Sequence, residues 1–480
     1  MPSLNSPSPI RHIPDPSAGP EFPGSSLRIA MHGMALLECA PKSALCEGPE
    51  KTFKEVRFMS TLIEKLQRGE IPSYFSALGE YEEVSPSRLA GEILRGTVVI
   101  PRNNRRKGPF LPVAVGKNMR VKVNANVGTS PEKRNFAEEM EKVRRAVAAG
   151  ADALMDLSIP GTNGAFRRQI MEHFGVPLGT VPLYQAAGEE GAAEKLSFSR
   201  FAEVMRAQAE EGVDFMTIHA GFRKEHLPLV EKRLLGVVSR GGSLMMAWMR
   251  RHDRESFLYE NFDALLEIAR EYDITLSLGD GLRPGCTADA NDEAQFGELR
   301  VLGELVGRCR KAGVQVMVEG PGHVPLHRIE ENVRLEKELC AEAPFYVLGP
   351  LVIDHAAGYD HVAGAIGGAL AAYYGADFLC YLTPAEHLRL PSLEDVHQGV
   401  MATKIAAAAA DLSRGKQYAL RQSNGISQGR RTFDWEEQRR HALDPERFQA
   451  TLETVSLPSS EKKSCSMCGE WCALRNQQKF

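Results

Sequence analysis

The residues best equipped for chemistry are three cysteines near the C-terminus, in the run Ser464-Cys465-Ser466-Met467-Cys468-Gly469-Glu470-Trp471-Cys472. Three thiolates at this spacing can converge on one centre, and Gly469 gives the backbone room to turn. Two kinds of centre suit them. A cubane [4Fe–4S] cluster held by three thiolates keeps one iron open to a further ligand. A structural zinc knuckle needs a fourth protein ligand. No other His or Cys lies within ten residues of the triplet, and the nearest histidine is His441. The spacing alone leaves the choice between iron–sulfur and zinc open. Cys39, Cys46, Cys286, Cys309, Cys340 and Cys380 are scattered singly, and the last four read as small core residues.

A second set of reactive side chains is spread over the middle of the chain, and its spacing depends on the elements that carry it. From about residue 118 short apolar runs ending in polar or Gly residues alternate with amphipathic stretches. The runs are Val121–Asn126, Ala153–Ser158, Gly179–Leu183, Phe215–Ala220, Ser243–Met249, Thr275–Asp280, Val314–Glu319, Phe345–Pro350 and Phe378–Thr383. Helices are expected over Asn135–Ala149, Ser199–Glu211, Tyr259–Tyr272, Asn291–Ala312, Leu326–Leu339 and Ala363–Tyr374. Such alternation implies a parallel sheet covered by helices, and eight or nine units favour a closed (β/α)₈ barrel. An open doubly wound sheet is less apt, because no Gly-rich dinucleotide turn follows the first strand. Catalytic groups in a barrel come from the carboxyl ends of several strands. Here those ends deliver Asn124, Asn126, Asp156, Ser158, His219, Asp280, Arg283, Glu319, His323, Tyr346 and His387.

The rest of the chain frames this barrel. Residues 1–26 are rich in Pro, Ser and Gly and are expected to be disordered. Residues 27–115 suggest a small N-terminal α/β domain, with a helix over Thr52–Leu66 and a strand over Gly96–Pro101. The barrel domain is expected over 116–420. Residues 421–480 would form a helical arm, with a charged helix over Arg430–Leu443, a second opening at Asp444-Pro445, and a polar tether over 455–464 before the cysteines. A net charge of −4 offers no field for nucleic acid. The short basic cluster Arg102 to Lys107 reads as a solvated loop. Residues 1–26 hold no apolar core segment and no uninterrupted apolar run is long enough for a membrane span, so neither a signal peptide nor a span is expected, and the expected compartment is the cytoplasm. Singly scattered cysteines there argue against disulfides.

The strand-end motifs carry a resemblance. KVNANVGTS (122–130), ALMDLS (153–158), GTVPLYQA (179–186), DFMTIHAG (214–221), VSRGGS (238–243), LSLGDGLRPG (276–285), VMVEGPGHVP (316–325), APFYVLGPL (343–351), AGYDH (357–361) and CYLTPAEHL (380–388) closely resemble the phosphomethylpyrimidine synthase family. The terminal CSMCGEWC looks like that family's shorter cluster variant. The similarity spans roughly residues 110–475.

The resemblance implies a radical S-adenosylmethionine (SAM) carbon–carbon lyase of thiamine biosynthesis. Its [4Fe–4S] cluster would sit on Cys465, Cys468 and Cys472, with SAM at the open iron. It would rearrange 5-aminoimidazole ribonucleotide to 4-amino-5-hydroxymethyl-2-methylpyrimidine phosphate. The implied nucleotide site comprises Asn126, Met155, Tyr184, His219, Ser239, Arg240, Gly241, Asp280, Gly281, Leu282, Arg283, Glu319 and Tyr346. Arg240 and Arg283 suit a phosphate, since a guanidinium offers a planar fork of donors. His323 and His387 would hold a zinc-like divalent ion. A flavodoxin or ferredoxin is the expected electron donor, and a homodimer the expected assembly.

Two stretches depart from the family pattern: Ile159-Pro160-Gly161 after the Asp156-Leu157-Ser158 strand end, and Ile353-Asp354-His355-Ala356 before AGYDH. They leave 5-hydroxybenzimidazole synthase, a paralogue using the same substrate, as the alternative. A non-radical metal-dependent barrel lyase and a non-catalytic iron–sulfur nucleotide sensor are the alternatives of other classes.

Overall fold

The computed structural model describes residues 60–130, 135–159, 164–454 and 467–477. The expected disorder of residues 1–26, most of the Thr52–Leu66 helix, the tether and Cys465 lie outside the described residues. Eight parallel strands close into a barrel: β3 (Lys122–Val127), β4 (Ala153–Asp156), β5 (Leu178–Thr180), β6 (Phe215–Ile218), β7 (Thr275–Leu278), β8 (Val316–Gly320), β9 (Phe345–Leu348) and β10 (Phe378–Cys380). Neighbours in the barrel are neighbours in sequence, and β10 closes onto β3 with Cys380 level with Asn124. The strands are buried on both faces, which is why they read as apolar runs rather than as alternating ones.

One expected strand is not a strand. Ser243–Met249 belongs to the helix Arg240–His252. Ser239 caps it by accepting from the Gly242 amide at 3.2 Å. Its buried residues, Gly241, Gly242, Met245, Trp248 and Met249, recur at helical spacing, and Leu, Met and Ala favour that choice. This correction brings the count to eight. Gly179–Leu183 is likewise shorter as a strand, because Pro182 opens the helix Pro182–Glu190. The helix expected over Arg430–Leu443 is broken: Gln417–Thr432 ends on Phe433 in the left-handed conformation at φ 58°, and Trp435–His441 restarts under an Asp434 cap. Pro445–Glu453 forms as expected.

Before the barrel, three helices (Leu62–Gln67, Phe75–Glu82 and Pro86–Arg95) pack with the antiparallel pair β1 (Val98–Val99) and β2 (Val115–Gly116). They share a separate apolar cluster that includes Leu66, Phe75, Leu89, Ile93 and Ile100. The segment after β1 runs beneath the barrel. Ile100 exchanges two hydrogen bonds with the Gln315 side chain, at 2.8 and 3.3 Å. Asn103 donates to the carbonyls of Ala209 and Val213, both at 2.8 Å. Arg106 of the basic cluster is ion-paired with the fully buried Asp214 at the foot of β6. That part of the cluster is therefore a structural clasp and not a solvated loop. No described helix is long and apolar enough to cross a membrane.

Candidate active site

The carboxyl ends of the strands meet around one cavity. It is lined by Asn126, Met155, Tyr184, His219, Asp280, Arg283, Glu319 and Tyr346, all expected, together with Leu157, Thr217 and Cys380. Strand parity explains the selection, since residues two apart on one strand share a face. On β10, Phe378 lies tilted against Tyr346 at 4.5 Å between ring centroids, and Cys380 lies one step nearer the mouth. Cys380 is thus a wall of the cavity, receiving the Asn126 Nδ2 at 3.1 Å, and the core role expected for it is incomplete. Its inward parity with Asn124 and Asn126 was the available signal. Asn124 donates from Nδ2 to the Tyr346 hydroxyl at 2.7 Å and to Asn126 Oδ1 at 2.9 Å, so the β3 amides are held by their neighbours.

On the opposite wall one guanidinium faces several acids. Arg283 pairs with Asp280 at 2.8 Å and approaches Glu319 at 3.6 Å. Glu319 also accepts from Thr217 at 2.7 Å and Ser277 at 2.9 Å, side chains of β6 and β7. Burial pushes the Asp280 carboxyl well above its usual range; Arg283 opposes this, and the nearby Glu319 and Glu298 add to it. Glu319 is raised as well, by burial. Burial would lower the Arg283 guanidinium, but the two carboxylates outweigh it and hold the charge in place. In the ligand-free protein the Arg283 charge is already compensated.

Arg240 is different. It is exposed, sits over the Tyr184 ring at 4.8 Å, and occupies the first turn of the helix Arg240–His252. Ser239, Arg240 and Gly241 form the N-terminus of that helix at the rim, where backbone N–H groups favour an anion. Against Gly241 lies His219, 1% exposed, with neither ring nitrogen hydrogen-bonded among the described residues. Burial, aided by the Arg283 charge, drops its pKa to about 3, so it is a neutral imidazole at any ordinary pH. A Cβ at Gly241 would enter that ring, and one at Gly242 would strike the Gly281 carbonyl. The 239–242 and 280–283 segments meet through glycine backbones because no side chain fits between them.

His323 and His387 come together as expected, with ring centroids 5.3 Å apart. Each gives its Nδ1 to a carboxylate at 2.8 Å: His323 to Asp354 and His387 to Asp360. This leaves both Nε2 atoms as ligand atoms, the arrangement by which carboxylates orient metal-binding imidazoles. Asp354, in a stretch that departs from the family pattern, is itself fixed by the Thr287 amide and hydroxyl. Both aspartates were missed as site residues; Asp360 lies within the AGYDH motif and Asp354 just before it, and only the fold brings each to its histidine. No group of three or more metal-ligating side chains occurs among the described residues. Cys468 and Cys472 flank the single turn Gly469–Trp471, one exposed and one buried, with Gly469 at φ 51°. Two thiols on either side of such a turn fit a shared cluster.

Fold and cavity define a class: a (β/α)₈-barrel enzyme with its polar site at the carboxyl ends of the strands. The sequence profile of the radical SAM ThiC family matches residues 61–479. A protein of Methanopyrus kandleri named phosphomethylpyrimidine synthase is 51% identical over 421 residues, 86% of this chain and 97% of its own. Proteins of the same name from Carboxydothermus hydrogenoformans and Methanocaldococcus jannaschii are 51% and 48% identical, covering 97% and 98% of their lengths. The chain belongs to the radical SAM ThiC family and is a radical SAM enzyme. Among solved structures, the Yersinia pestis dihydropteroate synthase overlaps 62% of this chain and 93% of its own at 12% identity and a TM-score of 0.35, too distant to carry a conclusion.

Proposed function

We propose that this enzyme converts 5-aminoimidazole ribonucleotide and SAM to 4-amino-5-hydroxymethyl-2-methylpyrimidine phosphate, the pyrimidine precursor of thiamine. The observation that carries this reading is the single cavity that gathers eight of the expected nucleotide-binding side chains. The phosphate is assigned to the N-terminus of the helix Arg240–His252, with Ser239, Arg240, Gly241 and neutral His219 around it. The Asp280-Gly281-Leu282-Arg283 turn and Glu319 are assigned to the ribose hydroxyls and ring amine, where carboxylate oxygens can accept hydrogen bonds. Asn126, Met155, Tyr184 and Tyr346 complete the walls, holding the substrate in one pose and excluding water.

A [4Fe–4S] cluster on Cys465, Cys468 and Cys472, when bound, would supply the electron that splits the SAM sulfonium bond. Its source is assigned to a flavodoxin- or ferredoxin-type donor. His323 and His387, oriented by Asp354 and Asp360, are assigned a zinc-like divalent ion. We assign residues 27–115 to an N-terminal domain, 116–420 to the catalytic barrel and 421–480 to the cluster arm, in a cytoplasmic homodimer. The names of the relatives favour the pyrimidine over the benzimidazole product and over the lyase and sensor readings. Product identification after anaerobic reconstitution with the nucleotide, SAM and a reductant is the test. Formation of a benzimidazole, or turnover without SAM consumption, overturns the reading.

A further inference from the structure

Behind the cavity, the helix Glu293–Lys311 turns Glu298 inward. The residue is 1% exposed and does not line the cavity around Arg283. Its Oε2 accepts the Leu282 N–H at 2.6 Å. Its Oε1 lies against Gly281, where an added Cβ would come within 3.0 Å of it. On its other side Gly281 meets the Gly242 backbone, whose own Cβ would strike the Gly281 carbonyl. The turn Asp280–Arg283 is therefore gripped between a buried carboxyl and the first turn of the helix Arg240–His252.

An apolar side chain would fill the Glu298 position more cheaply, since burying a carboxyl carries a desolvation cost. Burial raises the Glu298 pKa to about 8, with the Leu282 amide and Arg233 pulling the other way. Helix packing alone gives no reason for this group; the amide it holds does. Asp280, Glu298 and Glu319 also border one small cavity, so the three carboxyls share an environment.

We propose that Glu298 is a positioning residue, holding the 280–283 turn so that Asp280 and Arg283 face the substrate. The assignment of its consequence rests on the nucleotide reading of the cavity; the hold on the turn does not. The test compares Glu298→Gln, which keeps an oxygen for the Leu282 amide, with Glu298→Leu, which removes it. Glu298→Asp, a methylene too short to reach, serves should the Leu variant not fold. Amide hydrogen exchange of residues 279–285 is read in the substrate-free protein, and KM and kcat for 5-aminoimidazole ribonucleotide in the reconstituted enzyme.

The expected result is faster exchange in the Leu and Asp variants. KM should rise on the order of tenfold with kcat within about threefold, as losing one buried hydrogen bond that positions the site would give. The Gln variant should stay close to wild type in both measurements. Unchanged exchange in the Leu and Asp variants overturns the proposal, as does a Gln variant as impaired as Leu. If the wild-type enzyme does not turn over the nucleotide, the functional reading fails and the exchange comparison still decides the role of Glu298.

Discussion

Replacing Arg283 with Met keeps the length of the stem and removes the guanidinium that faces Asp280 and Glu319. Removing one partner of a buried pair typically costs about 3–5 kcal/mol, because the remaining charge is left buried. Here Arg283 is 20% exposed and Glu319 keeps its Thr217 and Ser277 donors, which places the loss near the lower end. We expect about 3 kcal/mol at pH 8, or a few degrees in Tm. The loss should depend on pH with a definite sign. Asp280 and Glu319 both titrate above their unfolded values, so stability falls as pH rises from the unfolded pKa to the folded one. Taking Arg283 away raises both folded pKa values further and extends that falling window upward. Mutant and wild type should therefore converge at the acid end and separate toward pH 8, by up to roughly 1.4 kcal/mol per pH unit for each carboxyl. Unfolding of the cluster-free proteins at pH 5.5 and 8.0 measures this. A difference that is constant with pH, or larger at pH 5.5, would refute the picture of acids compensated by Arg283.

Arg240→Ala should weaken the nucleotide about tenfold to a hundredfold, the worth of a charge-assisted hydrogen bond, and leave the dephosphorylated riboside nearly unaffected in a parallel titration. Equal losses for both ligands would remove the phosphate from the rim of the helix Arg240–His252. Cys465→Ala, Cys468→Ala and Cys472→Ala should each abolish iron binding and SAM cleavage while far-UV circular dichroism is unchanged; stoichiometric zinc without iron in the wild type would argue for a knuckle. Asp354→Asn and Asp360→Asn should each lower divalent-metal affinity about ten- to a hundredfold by metal titration, and unchanged affinity would dissociate the aspartates from the site. Gly242→Ala should destabilise the folded protein and raise KM, since the new methyl must displace the Gly281 carbonyl.

The barrel was legible because its strands are buried on both faces and end in polar residues at regular spacing, a pattern that few other folds produce. The same rule misled at Ser243–Met249. An apolar run of seven residues is compatible with strand or buried helix, and the deciding signal was the Ser239 cap in front of it. The residues expected at the nucleotide came from motifs, and eight of them line one cavity. What was left without a role are the groups that hold others in place: Asp354 and Asp360 behind the histidines, and Glu298 behind the turn. These act across contacts distant in sequence, such as the 31 positions between His323 and Asp354, and no local pattern encodes such a pairing. Cys380 was hidden for another reason: a small buried thiol has the same appearance in a core and in a cavity wall.

The segment beneath the barrel has a kinetic consequence. With Ile100 stitched to Gln315 and Asn103 to the β6 approach, the amino-terminal end is stoppered. The cavity lies at the opposite end, where the carboxyl ends of the strands meet. What is made in that cavity occupies the place that the next substrate needs. A product that lingers there is expected to compete directly with new substrate, which product-inhibition kinetics would read.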